Sequence, residues 1–269
     1  MEDILAAYKK VFNYDVTFHY VGKKENEEVK DLITNSLPLK NTKHSVALLD
    51  RPGKEIKKDI IYLIDDKKAV QNRVFFLINT PPFSGEVKDE VGAEAFNQYM
   101  SDGFSGILMQ EIREYRSLAY TTSGAFITPI HKNNPGVFYS YVGCQSDKTM
   151  DAIVVMDSIL KHMPQKPERI DLIKAGLINS ISSSYPNFRN VSSSIDRGRQ
   201  RGYTESPLKK EFEMYKTLTF DEINSFYEKN IQDKPRIITI YGNSEKIDEK
   251  ELSKYGKIIK LKVDDILVD

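Results

Sequence analysis

Apolar positions along the chain change period several times, and each change predicts an element. Ile4, Leu5, Tyr8 and Val11 recur at helical spacing and predict a helix over residues 3–11. Beyond Asn13, Val16, Phe18 and Tyr20 alternate with Thr17 and His19, the period-two pattern of a strand, which Gly22 and a charged run close. Val29, Leu32 and Ile33 predict a second helix ending near Pro38. Residues 39–54 are polar and irregular, carry the turn signal Pro52-Gly53, and read as a linker. Two strands are predicted over residues 56–64 and 73–80, the second stopped by Pro81-Pro82. A helix over 88–99 leads to a break at Ser101-Asp102-Gly103, after which Ser105 is placed to N-cap a helix running through Arg116. Strands over 118–130 and 137–143, helices over 147–162, 167–183, 191–199, 209–216 and 220–230, and short strands over 237–241 and 258–261 complete the reading. Strands and helices interleave with hairpin-like pairs and without a regular βαβ rhythm, so the fold class is α+β.

The opening of the chain resembles a stretch near its end. EDILAAYKKVFNYDVTFHYVG (2–22) and DEINSFYEKNIQDKPRIITIYG (221–242) both run from an acidic residue and isoleucine through a helical tyrosine (Tyr8, Tyr227) and an alternating strand to a glycine. The glycines lie 242 − 22 = 220 apart, with one residue of gap between tyrosine and glycine. Similarity at that distance marks a duplicated domain. The domain organisation expected from it is a helix-strand-helix tail of a preceding homologous domain over 1–38, a linker over 39–55, and a complete domain over 56–269.

Composition narrows the function classes. The 39 Lys and Arg balance 39 Asp and Glu, which leaves no electrostatic footprint for nucleic acid or an anionic membrane surface. No apolar run approaches the roughly 20 residues of a membrane span, and the N-terminus lacks the basic and apolar regions of a signal peptide. A single cysteine, Cys144, forms no intrachain disulfide and fits the cytoplasm and a periplasm equally. The four histidines, His19, His44, His131 and His162, include no pair four residues apart that would set two imidazoles on one helix face for zinc. No H-x-x-E-H, H-E-x-x-H, G-x-S-x-G or glycine-rich phosphate loop is present. The serine runs 182–184 and 192–194 read as caps and turns, and Lys209-Lys210, offset by Glu211 and Glu213, as a solvated face.

One segment remains, GFSGILMQEIREYRSLAYTTSGAF, residues 103–126. Glycine and serine open a helix whose apolar face is Ile107, Leu108 and Ile112, and arginines interrupt it. Arg113 and Tyr120 are 120 − 113 = 7 apart, and seven residues at about 100° each return to nearly one direction while the helix lasts. A guanidinium and a phenol held together can donate to a developing oxyanion or bind a substrate carbonyl. The same spacing also suits a helix-end arginine in a surface salt bridge and a tyrosine packed at a sheet edge.

The order of motifs resembles the insulinase/pitrilysin family of zinc metallopeptidases, the inverzincins, and specifically their C-terminal half, which lacks the zinc motif. The residues that carry the resemblance are Gly103-Phe104-Ser105-Gly106, Glu111-Ile112-Arg113-Glu114 with Leu118-Ala119-Tyr120, Gly143-Cys144-Gln145-Ser146-Asp147-Lys148-Thr149, and the helix start Leu218-Thr219-Phe220-Asp221-Glu222-Ile223. The turn at 102–106 holds fewer glycines than the family's usual one. The resemblance covers residues from about Val46 to the end, with the first ~40 matching the tail of the preceding family domain. It implies an α+β metallopeptidase domain of the LuxS/processing-peptidase-like type, a mixed, mainly antiparallel sheet packed against helices. It further implies that Arg113 and Tyr120 reach a peptide substrate and its transition state when two halves close on it; Arg116, only four residues from Tyr120, does not fit that spacing. By the same resemblance this chain holds no cofactor, and Zn²⁺ is expected in an N-terminal zinc-bearing half of the same polypeptide or in a separate zinc subunit. The chain alone is then expected to be inactive. A non-catalytic structural or binding subunit of the same fold in a larger complex is the alternative.

Overall fold

The computed structural model describes residues 1–39, 54–184, 187–262 and 265–266. Residues 40–53, most of the expected linker with His44 in it, lie outside the described residues. The chain divides into two units, residues 1–51 with 185–199 and residues 52–184 with 200–269. The first holds the helices α1 (Glu2–Val11) and α2 (Asn26–Ser36) and nearly all of α6 (Val191–Gln200). In the second, β1 (Ile60–Asp65) and β2 (Gln71–Pro82) precede α3 (Val87–Ser101), and β3 (Thr121–Ile127) and β4 (Pro135–Gln145) precede α4 (Thr149–Lys161) and α5 (Ile170–Ser183). After α6 come α7 (Leu208–Thr217), α8 (Phe220–Asn230), β5 (Ile237–Gly242), α9 (Glu249–Leu252) and β6 (Lys257–Leu261).

The six strands form one sheet in the order β3-β4-β2-β5-β1-β6. Three of its five pairings are antiparallel, and β1 runs parallel to both β5 and β6. The strict alternation along β2 buries Val74, Phe76 and Ile78 on one face and leaves Phe75 exposed on the other, as expected of a sheet covered on one side. In register with them, Phe138 and Val142 of β4 and Ile238 and Ile240 of β5 extend the buried face. Helix α3 packs on β3, α4 packs on β2 and β4, and α5, α7 and α8 pack on α3. Phe226 of α8 sits 5.6 Å from Phe96 of α3 and 4.9 Å from Phe126 of β3, tying helices to sheet through one aromatic cluster. The α+β class expected from the sequence, and the mixed, mainly antiparallel sheet packed against helices that the resemblance implies, are what the structure has.

Helix α8 spans the residues that its pattern predicts because its start is chemically marked. Thr219 Oγ1 accepts from Glu222 N at 3.3 Å while Glu222 Oε2 accepts from Thr219 N at 2.9 Å, a reciprocal capping box. Residues 16–20 depart from expectation. They alternate as a strand should, yet pair with no strand among the described residues, and Phe18 and Tyr20 are exposed. An extended segment becomes a strand only where a neighbour completes its hydrogen bonds.

Glu211 also departs from the sequence reading, which puts it on a solvated face. It is buried with Tyr215, one helical turn on, because this side of α7 faces the core. The serine run at 182–184 does close a helix, with Ser183 and Ser184 hydroxyls donating to the Asn179 and Ser180 carbonyls of the last turn of α5.

Candidate functional site

The segment between α3 and β3 builds the site. Gly103 adopts φ +48°, and a Cβ on Gly106 would stand 2.8 Å from the Ser101 and Asp102 backbone, so the chain doubles back too closely there for a side chain. Asp102 O accepts from both Ser105 N and Gly106 N. Ser105 does not N-cap the following helix as the sequence predicts. Its hydroxyl donates back to Asp102 O at 2.8 Å, and helical residues start at Ile107.

From Met109 to Glu114 the helix widens to π geometry, closed by Tyr115 N donating to Gln110 O five residues earlier at 2.9 Å. It therefore ends at Glu114 and not at Arg116. Ser117 then takes φ 52°, Leu118 N donates to Ile112 O at 3.0 Å, and Tyr120 N donates to Gly143 O at 2.9 Å as β3 begins. Arg113 and Tyr120 are thus not stacked along one helix face. The π turn and the left-handed Ser117 fold the chain so that both line one cleft of about 400 Å³, together with Glu114, Ser117, Gln145 and Lys148.

The two side chains are available for different reasons. Arg113 stands 5.8 Å over the Phe104 ring, with Nε 3.8 Å from Glu114 Oε1 and one terminal nitrogen 3.8 Å from Met109 Sδ. Tyr120 is 58% exposed, and its oxygen accepts from Gln145 Nε2 at 3.2 Å. That contact leaves the phenol hydrogen to donate into the cleft. Arg116, by contrast, is committed, with 2.6 Å contacts to both the Glu111 carbonyl and its carboxylate.

A brace holds the segment from outside the cleft. Arg169 donates to Ser105 O at 2.7 Å and to Gln110 Oε1, and Lys166 reaches Glu111 Oε1 at 3.3 Å. Burial pushes the Glu111 carboxyl upward, but hydrogen bonds from Arg116 and Lys166 outweigh it and hold the group below the ordinary glutamate range.

Sequence reasoning names Arg113 and Tyr120 and misses the cleft role of Gln145 and Lys148, which enter it only as members of a motif run. Their position on the turn after β4 follows from the β3–β4 pairing, in which Gly143 faces Thr121. Among the described residues, no group of three or more His, Cys, Asp or Glu gathers where it could hold a metal ion. Cys144 is buried, its thiol pushed up chiefly by burial. No helix of the described residues is long and apolar enough to cross a membrane.

Comparison with known proteins returns one family. The profile described as the peptidase M16 inactive domain matches residues 1–185. No curated protein matches the sequence. Among solved structures, a peptidase M16 inactive domain from Pseudomonas fluorescens aligns at TM-score 0.64 and 18% identity, over 89% of this chain and 57% of that one. A conserved protein from Enterococcus faecalis V583 aligns at 0.66 and 15% identity, over 90% and 55%. A protease from Helicobacter pylori aligns at 0.62 and 15% identity, over 82% and 54%. The chain spans little more than half of each of these three.

Proposed function

Because the chain belongs to the peptidase M16 inactive domain family, we propose that it is the half of a zinc metalloendopeptidase that supplies no zinc ligands and contributes substrate binding and transition-state stabilisation. The observation that carries this reading is the shared cleft, where Arg113 and Tyr120 converge and Gln145 sets the phenol hydrogen free. Among the described residues no group gathers that could hold zinc, and the family reading assigns the metal to a partner half of the same polypeptide or to a separate zinc subunit. On this chain, Tyr120 and Arg113 hold and orient the scissile carbonyl of an enclosed peptide. As charge grows on that carbonyl oxygen, two preorganised donors gain strength without moving. The organisation that goes with this is a tail of a preceding homologous domain over 1–38, a linker over 39–55 and a complete domain over 56–269.

With the zinc-bearing half present, Tyr120→Phe and Arg113→Ala are each expected to lower kcat by about 10²–10³ while thermal melting stays unchanged. Wild-type turnover in both variants overturns the assignment. The chain alone is expected to cleave no peptide, with or without added Zn²⁺, and cleavage by the pure chain would also overturn it. A second reading, a structural subunit without chemistry, draws on the likeness of fold to a chain of complex III2 from Candida albicans, at TM-score 0.59 and 13% identity. It predicts that both substitutions are silent.

A further inference from the structure

The charges that line the cleft do not balance. Arg113 and Lys148 are positive and Glu114 negative, a sum of 2 − 1 = +1. Both cations have only distant anions among the described residues. Arg113 Nε stands 3.8 Å from Glu114 and Lys148 Nζ stands 3.9 Å from Asp151, separations beyond hydrogen-bonding range. Arg116 and Glu111, at 2.6 Å just outside the cleft, are a satisfied pair of the same kind. Glu114 is Arg113's neighbour in sequence and offsets part of its charge. Asp151, in the first turn of α4 and 61% exposed, offsets part of the Lys148 charge from outside, since it does not line the cleft. Among the residues that line the cleft, the ammonium of Lys148, with three donors, therefore has no anion of its own beside it.

Its position is fixed from below. Lys148 ends the short turn Ser146–Lys148 that joins β4 to α4. Thr149 Oγ1 donates to Ser146 O at 2.9 Å and accepts from the buried Asn72 Nδ2 at 2.8 Å, which anchors that turn to β2. Gln145, which sets the Tyr120 phenol, is the residue just before the same turn. One rigid element thus presents both the partner of Tyr120 and a cation.

We propose that Lys148 is a specificity residue of this cleft, taking a carboxylate of the peptide beside the carbonyl offered to Arg113 and Tyr120. The proposal rests on the reading of the cleft as a peptide site. The carboxylate has two sources, an Asp or Glu side chain or a free C-terminus, and the test separates them.

Three tetrapeptides are titrated into the ¹⁵N-labelled chain and followed by the amide shifts of Tyr120, Gln145 and Lys148. One carries an internal aspartate between acetyl and amide caps, one an asparagine at that position with the same caps, and one the asparagine with a free C-terminal carboxylate. A carboxylate peptide is expected to bind about two- to fivefold more tightly than the doubly capped asparagine peptide, the gain of one exposed ion pair, and the advantage shrinks with added salt. Gain from the aspartate peptide assigns the side chain, and gain from the free terminus assigns the terminus. Lys148→Gln abolishes the preference and Lys148→Glu reverses it. An acidic residue at the start of α4 suits the helix dipole, so the reversal variant keeps its fold. If all three peptides bind equally and Tyr120→Phe weakens them equally, the role of Lys148 falls while the cleft reading stands. If no peptide moves the cleft amides at millimolar concentration, the cleft reading falls and takes this proposal with it.

Discussion

Tyr120 is anchored through its oxygen and not through its hydrogen, and that asymmetry is what makes it a donor. Gln145→Ala removes the anchor and lets the phenol rotate. The expected cost is about fivefold in kcat of the zinc-loaded assembly, the equivalent of one hydrogen bond of about 1 kcal/mol, and so well short of Tyr120→Phe. Equal losses in the two variants would mean that the phenol orientation is set by something else. Ser117 is a second position where one residue decides the site. With φ 52° it occupies the left-handed region, which a β-branched side chain resists. Ser117→Val is expected to lower stability by about 1–2 kcal/mol and to weaken peptide binding, while Ser117→Gly stays within about 1 kcal/mol of the parent in urea denaturation. Arg113 and Tyr120 were legible through their spacing and the motif order around them. Gln145 was not, because a glutamine at a strand end carries no pattern until β3 and β4 are paired. Nor was Ser117, since nothing in its identity announces a positive φ.

At the scale of elements, what the sequence discloses depends on whether the signal is local. Helix α8 and strand β2 declare themselves, one by a capping box and helical spacing, the other by alternation over its buried and open faces. The π turn at Met109–Glu114 is silent, because hydrogen bonds five residues apart demand no distinctive residues. Helix α7 misleads for a different reason, as its outward lysines hide an inward acid. Glu211 of α7 faces Glu90 and Glu94 of α3 with Arg201, Tyr203 and Tyr215 around them; Arg201 pairs with Glu90 at 3.5 Å and Tyr215 donates to Glu94. Burial, reinforced by Glu94 and Glu90 and opposed by Arg201, pushes the Glu211 carboxyl up to about 7. Burial likewise raises Glu90, against the attraction of Arg201, and pushes Tyr203 up to about 12.

The direction of the pH dependence follows. Below about pH 4.5 Glu211 is neutral in the folded and unfolded chain alike; between there and about 7 the unfolded chain ionises it while the fold keeps the proton. Stability present in acid is therefore lost as pH rises to neutrality, by about 1–2 kcal/mol once solvent screening is allowed for. Glu211→Gln is expected to flatten the melting temperature between pH 5 and 8 and to stabilise most at pH 8. A variant that melts lower than the parent at pH 8 would show that the charged carboxylate, not the proton, is what the joint between α3 and α7 needs.

On the scale of the whole molecule, the repeated helix-strand pattern meets two different fates. In α8–β5 the strand lies between β2 and β1 with both edges hydrogen-bonded, and its helix is buried through Ile223, Phe226 and Tyr227. In the copy near the start, Ile4, Leu5 and Tyr8 of α1 are exposed and residues 15–21 have no strand beside them among the described residues. Similar local patterning with opposite outcomes puts the difference in the tertiary surroundings, a sheet to enter and a helix to pack on. On the proposal that 1–38 is the tail of a preceding domain, the body of that domain supplies both, and this makes a measurable demand. In the isolated chain, backbone amides of 16–20 should exchange with solvent deuterium nearly as fast as an unstructured peptide. In the assembly that contains the preceding domain, strand pairing on both sides should slow them by about 10³ or more, in line with the free energy of opening a central strand. The β5 amides should be protected equally in both samples, which makes them the internal reference. Fast exchange at 16–20 in the assembly would mean that these residues close no upstream sheet, and the duplication would then have to be explained by chance likeness of two helix-strand units.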